Sequence, residues 1–288
     1  MSTTLGALIE QVRTAARDDP AYDTVSGSYT TSTTAVTFAD GTRFPAGAVV
    51  DWYDQTFEAS YLSAKGGVTT GTLVRGWKGT TAASHSTGAV VLASPRYLLS
   101  QYRLAINNAL RAIGVQFRRR QWQTSVSYSS TGRLVSVPAG TLAVFAVQEK
   151  PSTDTSLSPV AGSLVDVPTS LVASGKAVRL SSYNPGTGAA YIGFETAWTQ
   201  LSAWTDTLDA EFPADAEDVI VEGAIRYLEN PDIFARIAYT KPHVEGSGPR
   251  SGTSDLMTAA RLQMATFLQR RMELAARQPP EFAWIKGG

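Results

Sequence analysis

Three carboxylates, Asp51, Asp54 and Glu58, stand close together in a β-patterned stretch of this 288-residue chain. Paired carboxylates on adjoining strands are what a glycoside hydrolase uses, one protonating the leaving oxygen while the other attacks or stabilises. A solvated strand face with its turn would hold the same residues, and that is the preferred reading, because any β-rich chain supplies such neighbours. The two histidines, His85 and His243, lie far apart among loop residues, without the spacing of a zinc site. There is no cysteine, which excludes disulfides, thiolate metal sites and a cysteine nucleophile. Gly71 to Lys78 approaches a phosphate-binding loop, but Trp77 stands where lysine should follow Gly76, and no helical pattern comes after it. No catalytic residue, metal site or cofactor is expected, and the chain reads as a non-enzyme.

Binding chemistry is better represented. Arg118, Arg119 and Arg120 lie between Phe117 and Trp122 and could meet DNA phosphates or an acidic partner; a solvated or salt-bridged turn is the alternative. After Pro279 and Pro280, a terminal stretch carries Phe282, Trp284 and Ile285. Such a tail either docks in a partner's groove or folds back on its own core. Met257, Met264 and Phe267 share one side of the last helical segment, suiting a partner contact or ordinary core packing. The 25 basic and 25 acidic residues cancel, so any DNA contact must be local.

The elements that must position these residues follow from periodicity. Helical spacing of apolar residues runs over 2–17, 94–113, 213–228 and 254–277, with stops at Pro20, Gly114 and Pro231. Short alternating runs over 35–38, 48–53, 56–62, 68–75 and 89–93 read as strands, and a second β-patterned stretch fills 121–208. The segment 241–253, rich in Gly, Ser and Pro, reads as a loop. The division expected is an N-terminal core helix (1–22), a small β module (23–93), a core helix with a basic turn (94–120), a second β-rich domain (121–208), C-terminal core helices (209–277) and a docking tail (278–288). The fold class expected is α+β: a helical bundle core with a small antiparallel β-barrel-like insertion, a second β-rich domain and an extended C-terminal tail. No apolar run approaches the roughly 18 residues of a membrane span, and the N-terminus lacks the pattern of a secretory signal, so a soluble product is expected.

One stretch is more specific. Phe44-Pro45-x-Gly47, followed by Arg75-Gly76-Trp77-x-Gly79-Thr80-Thr81-Ala82-x-x-His85-x-x-Gly88-x-Val90, resembles a β module of neck and tail structural proteins in tailed bacteriophages. With the order helix, β insertion, helix and C-terminal helices, the chain resembles a head-to-tail adaptor, or head-completion protein. The resemblance implies a homo-oligomeric ring of twelve copies beneath the portal protein. It implies contact with a downstream neck or tail protein, and a channel through which DNA passes without sequence-specific binding. It further implies a virion location after assembly in the host cytoplasm, the tail reaching the portal, and no catalytic residues. In the motif His85 is expected to be a turn residue that packs or hydrogen-bonds within its loop. The alternative class is a carbohydrate- or receptor-binding virion module built on aromatic residues such as Trp52, Tyr53, Trp198 and Trp204.

Overall fold

The computed structural model describes residues 3–128, 134–151, 157–181, 188–231 and 255–278. The chain forms two compact units: Met1–Ala112 with Thr199–Arg270, and Ile113–Trp198 with Arg271–Gly288.

The first unit opens with helix α1 (Leu5–Ala15). Thr4 caps it by accepting the Ala7 N–H at 3.2 Å, and Leu5, Leu8, Ile9 and Val12 form its buried stripe. Six strands follow: β1 (Ala21–Thr24), β2 (Ala35–Thr37), β3 (Val49–Trp52), β4 (Ala59–Lys65), β5 (Thr70–Val74) and β6 (Val90–Ala93). They make one antiparallel sheet in the order β1-β6-β3-β4-β5-β2. The sheet curls until its edges meet, where Val25 bridges Phe38 and the Ser26 and Ala39 N–H groups donate to the Thr37 and Thr24 carbonyls at 2.8 Å. This contact covers edge groups that would otherwise be open to strand pairing. Inside the curl, Val36, Phe38, Phe44, Trp52, Leu62 and Leu73 pack together, and Phe38 stacks on Phe44 at 4.5 Å. Strand β1 escapes the sequence reading because its residues alternate half-buried and exposed, leaving no apolar alternation to detect.

Three further helices are described: α2 (Leu99–Ile113), α3 (Glu217–Glu229) and α4 (Asp255–Arg277). They meet closely at Gly223 in α3, where an added Cβ would stand 2.6 Å from the Phe267 ring and 2.9 Å from the Ala109 Cβ. Both neighbours are fully buried, so neither can give way. Gly223→Ala is expected to destabilise the first unit by about 1–3 kcal/mol, read as a lower urea midpoint with an unchanged slope; an unchanged midpoint would mean the helices are not packed this tightly.

The second unit is a β-sandwich. Strands β7 (Arg119–Tyr128), β9 (Thr141–Pro151), β10 (Ser158–Pro159) and β13 (Gly188–Thr196) form a four-stranded antiparallel sheet ordered β10-β9-β13-β7. Strands β8 (Leu134–Ser136), β11 (Gly162–Asp166) and β12 (Lys176–Leu180) form a three-stranded one ordered β11-β12-β8. Val147, Ala190, Ile192 and Phe194 from the first sheet meet Val135, Val178 and Leu180 from the second, the interdigitation expected of aligned sheets.

The expected helical bundle core is therefore incorrect. Among the described residues thirteen strands stand against four α-helices, and most of the regular structure is antiparallel sheet. The error has a physical source: a 3.6-residue apolar period shows that a helix buries one face, and says nothing about how much of the surrounding layer is helical. No described helix is long and apolar enough to cross a membrane.

Candidate functional site

The loop of the β3–β4 hairpin gathers the carboxylates singled out in the sequence, but it divides them. Trp52 N–H donates to the Glu58 carbonyl at 3.0 Å, closing the loop from Tyr53 to Phe57. Asp54 turns the chain by accepting from Thr56 N–H at 2.9 Å and from the Thr56 hydroxyl at 2.5 Å, an Asx-type turn. Phe57 completes it in the left-handed region at φ 55. The turn leaves Asp54 and Glu58 facing the segment that follows β5, whereas Asp51 faces the start of α2.

Glu58 is fully buried and carries the centre of a four-residue ionic network. Its Oε1 accepts from Arg75 Nε at 2.6 Å and from the Ser60 hydroxyl at 3.0 Å. Its Oε2 accepts from Arg75 Nη2 at 2.7 Å and Ala83 N–H at 2.7 Å, and stands 2.9 Å from His85 Nε2. The other ring nitrogen, Nδ1, is 2.6 Å from Asp54 Oδ2. Every Arg75 N–H finds an acceptor, since Nη1 donates to the Thr30 and Thr33 carbonyls and Nη2 also to that of Ala83. Trp52 forms the wall: the His85 ring lies flat on it at 3.8 Å, the Arg75 guanidinium sits 5.4 Å from its centroid, and its indole N–H donates to Ser60 at 3.1 Å.

The electrostatics follow from these contacts. Burial disfavours charge on His85, but hydrogen bonds to Asp54 and Glu58 outweigh it and raise its pKa above the ordinary histidine value. Burial likewise opposes the charge on Glu58, yet Arg75, His85 and the Ala83 N–H hold it far below the usual carboxylate range. Asp54 is also lowered, burial being outweighed by His85 and Thr56. With His85 protonated, two anions and two cations balance in a closed set. Both imidazole nitrogens are engaged by carboxylates, and the nearby Ser60 hydroxyl donates to Glu58, so the hydrogen-bonding capacity of the imidazole is spent inside the network.

Asp51 is fully buried elsewhere. Its Oδ2 accepts the Leu99 N–H at 2.7 Å, its Oδ1 has no hydrogen-bond partner, and burial pushes its pKa up to about 8. A raised carboxyl beside an ionised one is the signature of a general acid and its partner, but Asp51 has no exposed surface from which to reach a substrate. The sequence reading grouped the three carboxylates and set His85 apart as a loop residue. The structure joins His85 to two of them and separates the third. Two charged residues, Arg75 and His85, inside a Gly- and Thr-rich motif were the available signal that buried countercharges were needed.

The remaining candidates are distributed as follows. In the second unit Arg118 and Arg120 lie at the start of β7 and both reach Glu195 on β13, at 3.4 Å and 2.9 Å, so part of the basic cluster is neutralised within the chain rather than held in a free turn. Arg119 pairs in register with Thr196. Met264 and Phe267 are buried within the first unit. The side chain of Met257 lies outside the described residues, as do Phe282, Trp284, Ile285, His243 and the segment 241–253. Trp52 and Trp198 are buried, while Tyr53 and Trp204 are half-buried and meet edge-to-face at 5.3 Å. No family model, curated protein or solved structure matches this chain.

Proposed function

We propose that the chain is a structural subunit of a tailed-bacteriophage neck, assembling as a homo-oligomeric ring that joins the portal to downstream neck or tail components around the DNA channel. The observation that carries this reading is the use to which the Arg75–Val90 motif is put. Two of its charged side chains, Arg75 and His85, are spent on Glu58 and Asp54 inside the β module, as befits a signature of a rigid scaffold. The same network occupies two of the three carboxylates, Asp54 and Glu58, on which a glycan-cleaving reading would rest. On this reading the mechanism is geometric: rigid β units hold interfaces in place, and DNA passes without base-specific contact.

The test is assembly on a portal ring from the same phage, followed by native mass measurement. A discrete mass increment of several copies per portal is expected. A chain that stays monomeric with the portal present, at concentrations well above those of assembly in the cell, would overturn the proposal.

A further inference from the structure

A cleft of about 730 Å³ opens in the first unit, away from the buried network. One wall is a stripe along α2 carrying Arg103, Leu104, Asn107 and Arg111; the others are Thr56–Phe57, the turn Trp77–Gly79 with Thr80 and Thr81, and Gln200–Ser202. Lys78, Arg103 and Arg111 bring three cations to it. Among the described residues no Asp or Glu lines the cleft, and none forms an ion pair with these three.

Arg103 is held in place. The Arg103 guanidinium lies 4.4 Å over the Phe57 ring and donates to the Ser202 carbonyl at 3.2 Å. Asn107 clamps the facing wall by exchanging two 2.8 Å hydrogen bonds with the Leu201 backbone. Both Phe57 and Lys78 are non-glycine residues at positive φ, 55 and 52, a strained state that gathers where geometry serves a function.

We propose that this cleft is a docking groove for an extended acidic polypeptide segment of a partner protein. One feature favours a polypeptide over a nucleic-acid backbone: Leu104 is 49% exposed on the same wall, an apolar contact that suits an aliphatic side chain and has no counterpart on a phosphodiester. From Arg103 to Arg111 the helix rises about 12 Å, close to four residues of extended chain. Carboxylates four residues apart lie on one face of such a chain, so the partner motif is Glu-x-x-x-Glu or its Asp equivalent, with its carboxylates on the Arg103 and Arg111 guanidinium groups.

The probe is a fluorescent peptide, Thr-Glu-Thr-Val-Thr-Glu-Thr, whose glutamates stand four apart with the valine between them on the same face of an extended chain. It is titrated by anisotropy into the full chain beside its Gln-for-Glu counterpart and a short oligothymidylate. Saturable binding of the Glu peptide is expected, about ten-fold weaker for the Gln peptide and for Lys78→Gln/Arg111→Gln. Both replaced side chains are exposed, so the double variant should keep the circular dichroism and unfolding midpoint of the parent. Equal binding of the two peptides, binding unaffected by the double variant, or tighter binding of the oligothymidylate would overturn the proposal. Self-association of the chain that the double variant abolishes would also overturn it, by giving the groove to a second copy. No portal is needed, so failure here leaves the assembly reading standing, and the reverse.

Discussion

Glu58→Ala is expected to destabilise the first unit by on the order of 3–5 kcal/mol, the cost of removing one partner of a buried ion pair. The loss has little to do with the intrinsic worth of a salt bridge. Arg75 and His85 have side chains 5% and 0% exposed, and without Glu58 two Arg75 N–H groups, His85 Nε2, the Ser60 hydroxyl and the Ala83 N–H all lose an acceptor. Each is left desolvated and unpaired. Glu58→Gln should fall between parent and Ala, because the amide keeps one acceptor but brings a donor against a cationic fork. Urea unfolding followed by tryptophan emission, to which Trp52 under the His85 stack contributes, and by circular dichroism reports the effect. A loss below about 1 kcal/mol for the Ala variant would place this network with exposed surface pairs and remove its claim to hold the module.

Asp51→Asn is expected to do the opposite, and to do so only at higher pH. The Asp51 carboxyl is raised to about 8, first by burial and then by the charges of Asp54 and Asp18, against the Leu99 N–H and Arg13. In the unfolded chain it titrates near 3.9. Between these values the folded state keeps a proton that the unfolded state has released, so stability falls as pH rises across that window and levels off above about 8. Asparagine has no such loss, and its Oδ1 can still accept from Leu99. The two proteins should have similar stability near pH 4, and the variant should gain on the order of 3 kcal/mol by pH 8. Parallel stability–pH curves for parent and variant would refute this. His85 also titrates within the range: its folded pKa is raised, so its contribution is full below about 6.5 and is lost as pH climbs through the folded value. That term is common to both proteins and cancels in their difference.

The strands were legible where the pattern of burial alternates or runs apolar. Strand β3, with a burial sequence of one half-buried and three buried residues, lies inside the expected stretch 48–53, and β5 and β6 lie inside theirs. Strand β1 has no buried residue and was invisible to that signal. The candidate site was legible only as an inventory. Asp51 and Asp54 are three positions apart in sequence, yet one sits without an ionised partner against α2 and the other holds an imidazolium, because the Asx turn at Asp54 and the left-handed Phe57 reverse the chain between β3 and Glu58.

By itself, the amino-acid sequence determined the kinds of local structure and excluded whole chemistries: no thiolate, no histidine cluster, and short β segments punctuated by glycine where the chain must turn. It also placed Arg75 and His85 in one motif. What only the tertiary structure decided is which charges meet. His85 lies 31 residues from Asp54 and 27 from Glu58, and whether those distances close depends on sheet order and on the backbone bridge between Tyr29 and His85, neither of which has a local signature. The same holds for the cleft, whose cations come from α2 and from a turn after β5: periodicity marks Arg103 and Arg111 as one outward face, but only folding brings Lys78 opposite them and leaves the carboxylates elsewhere.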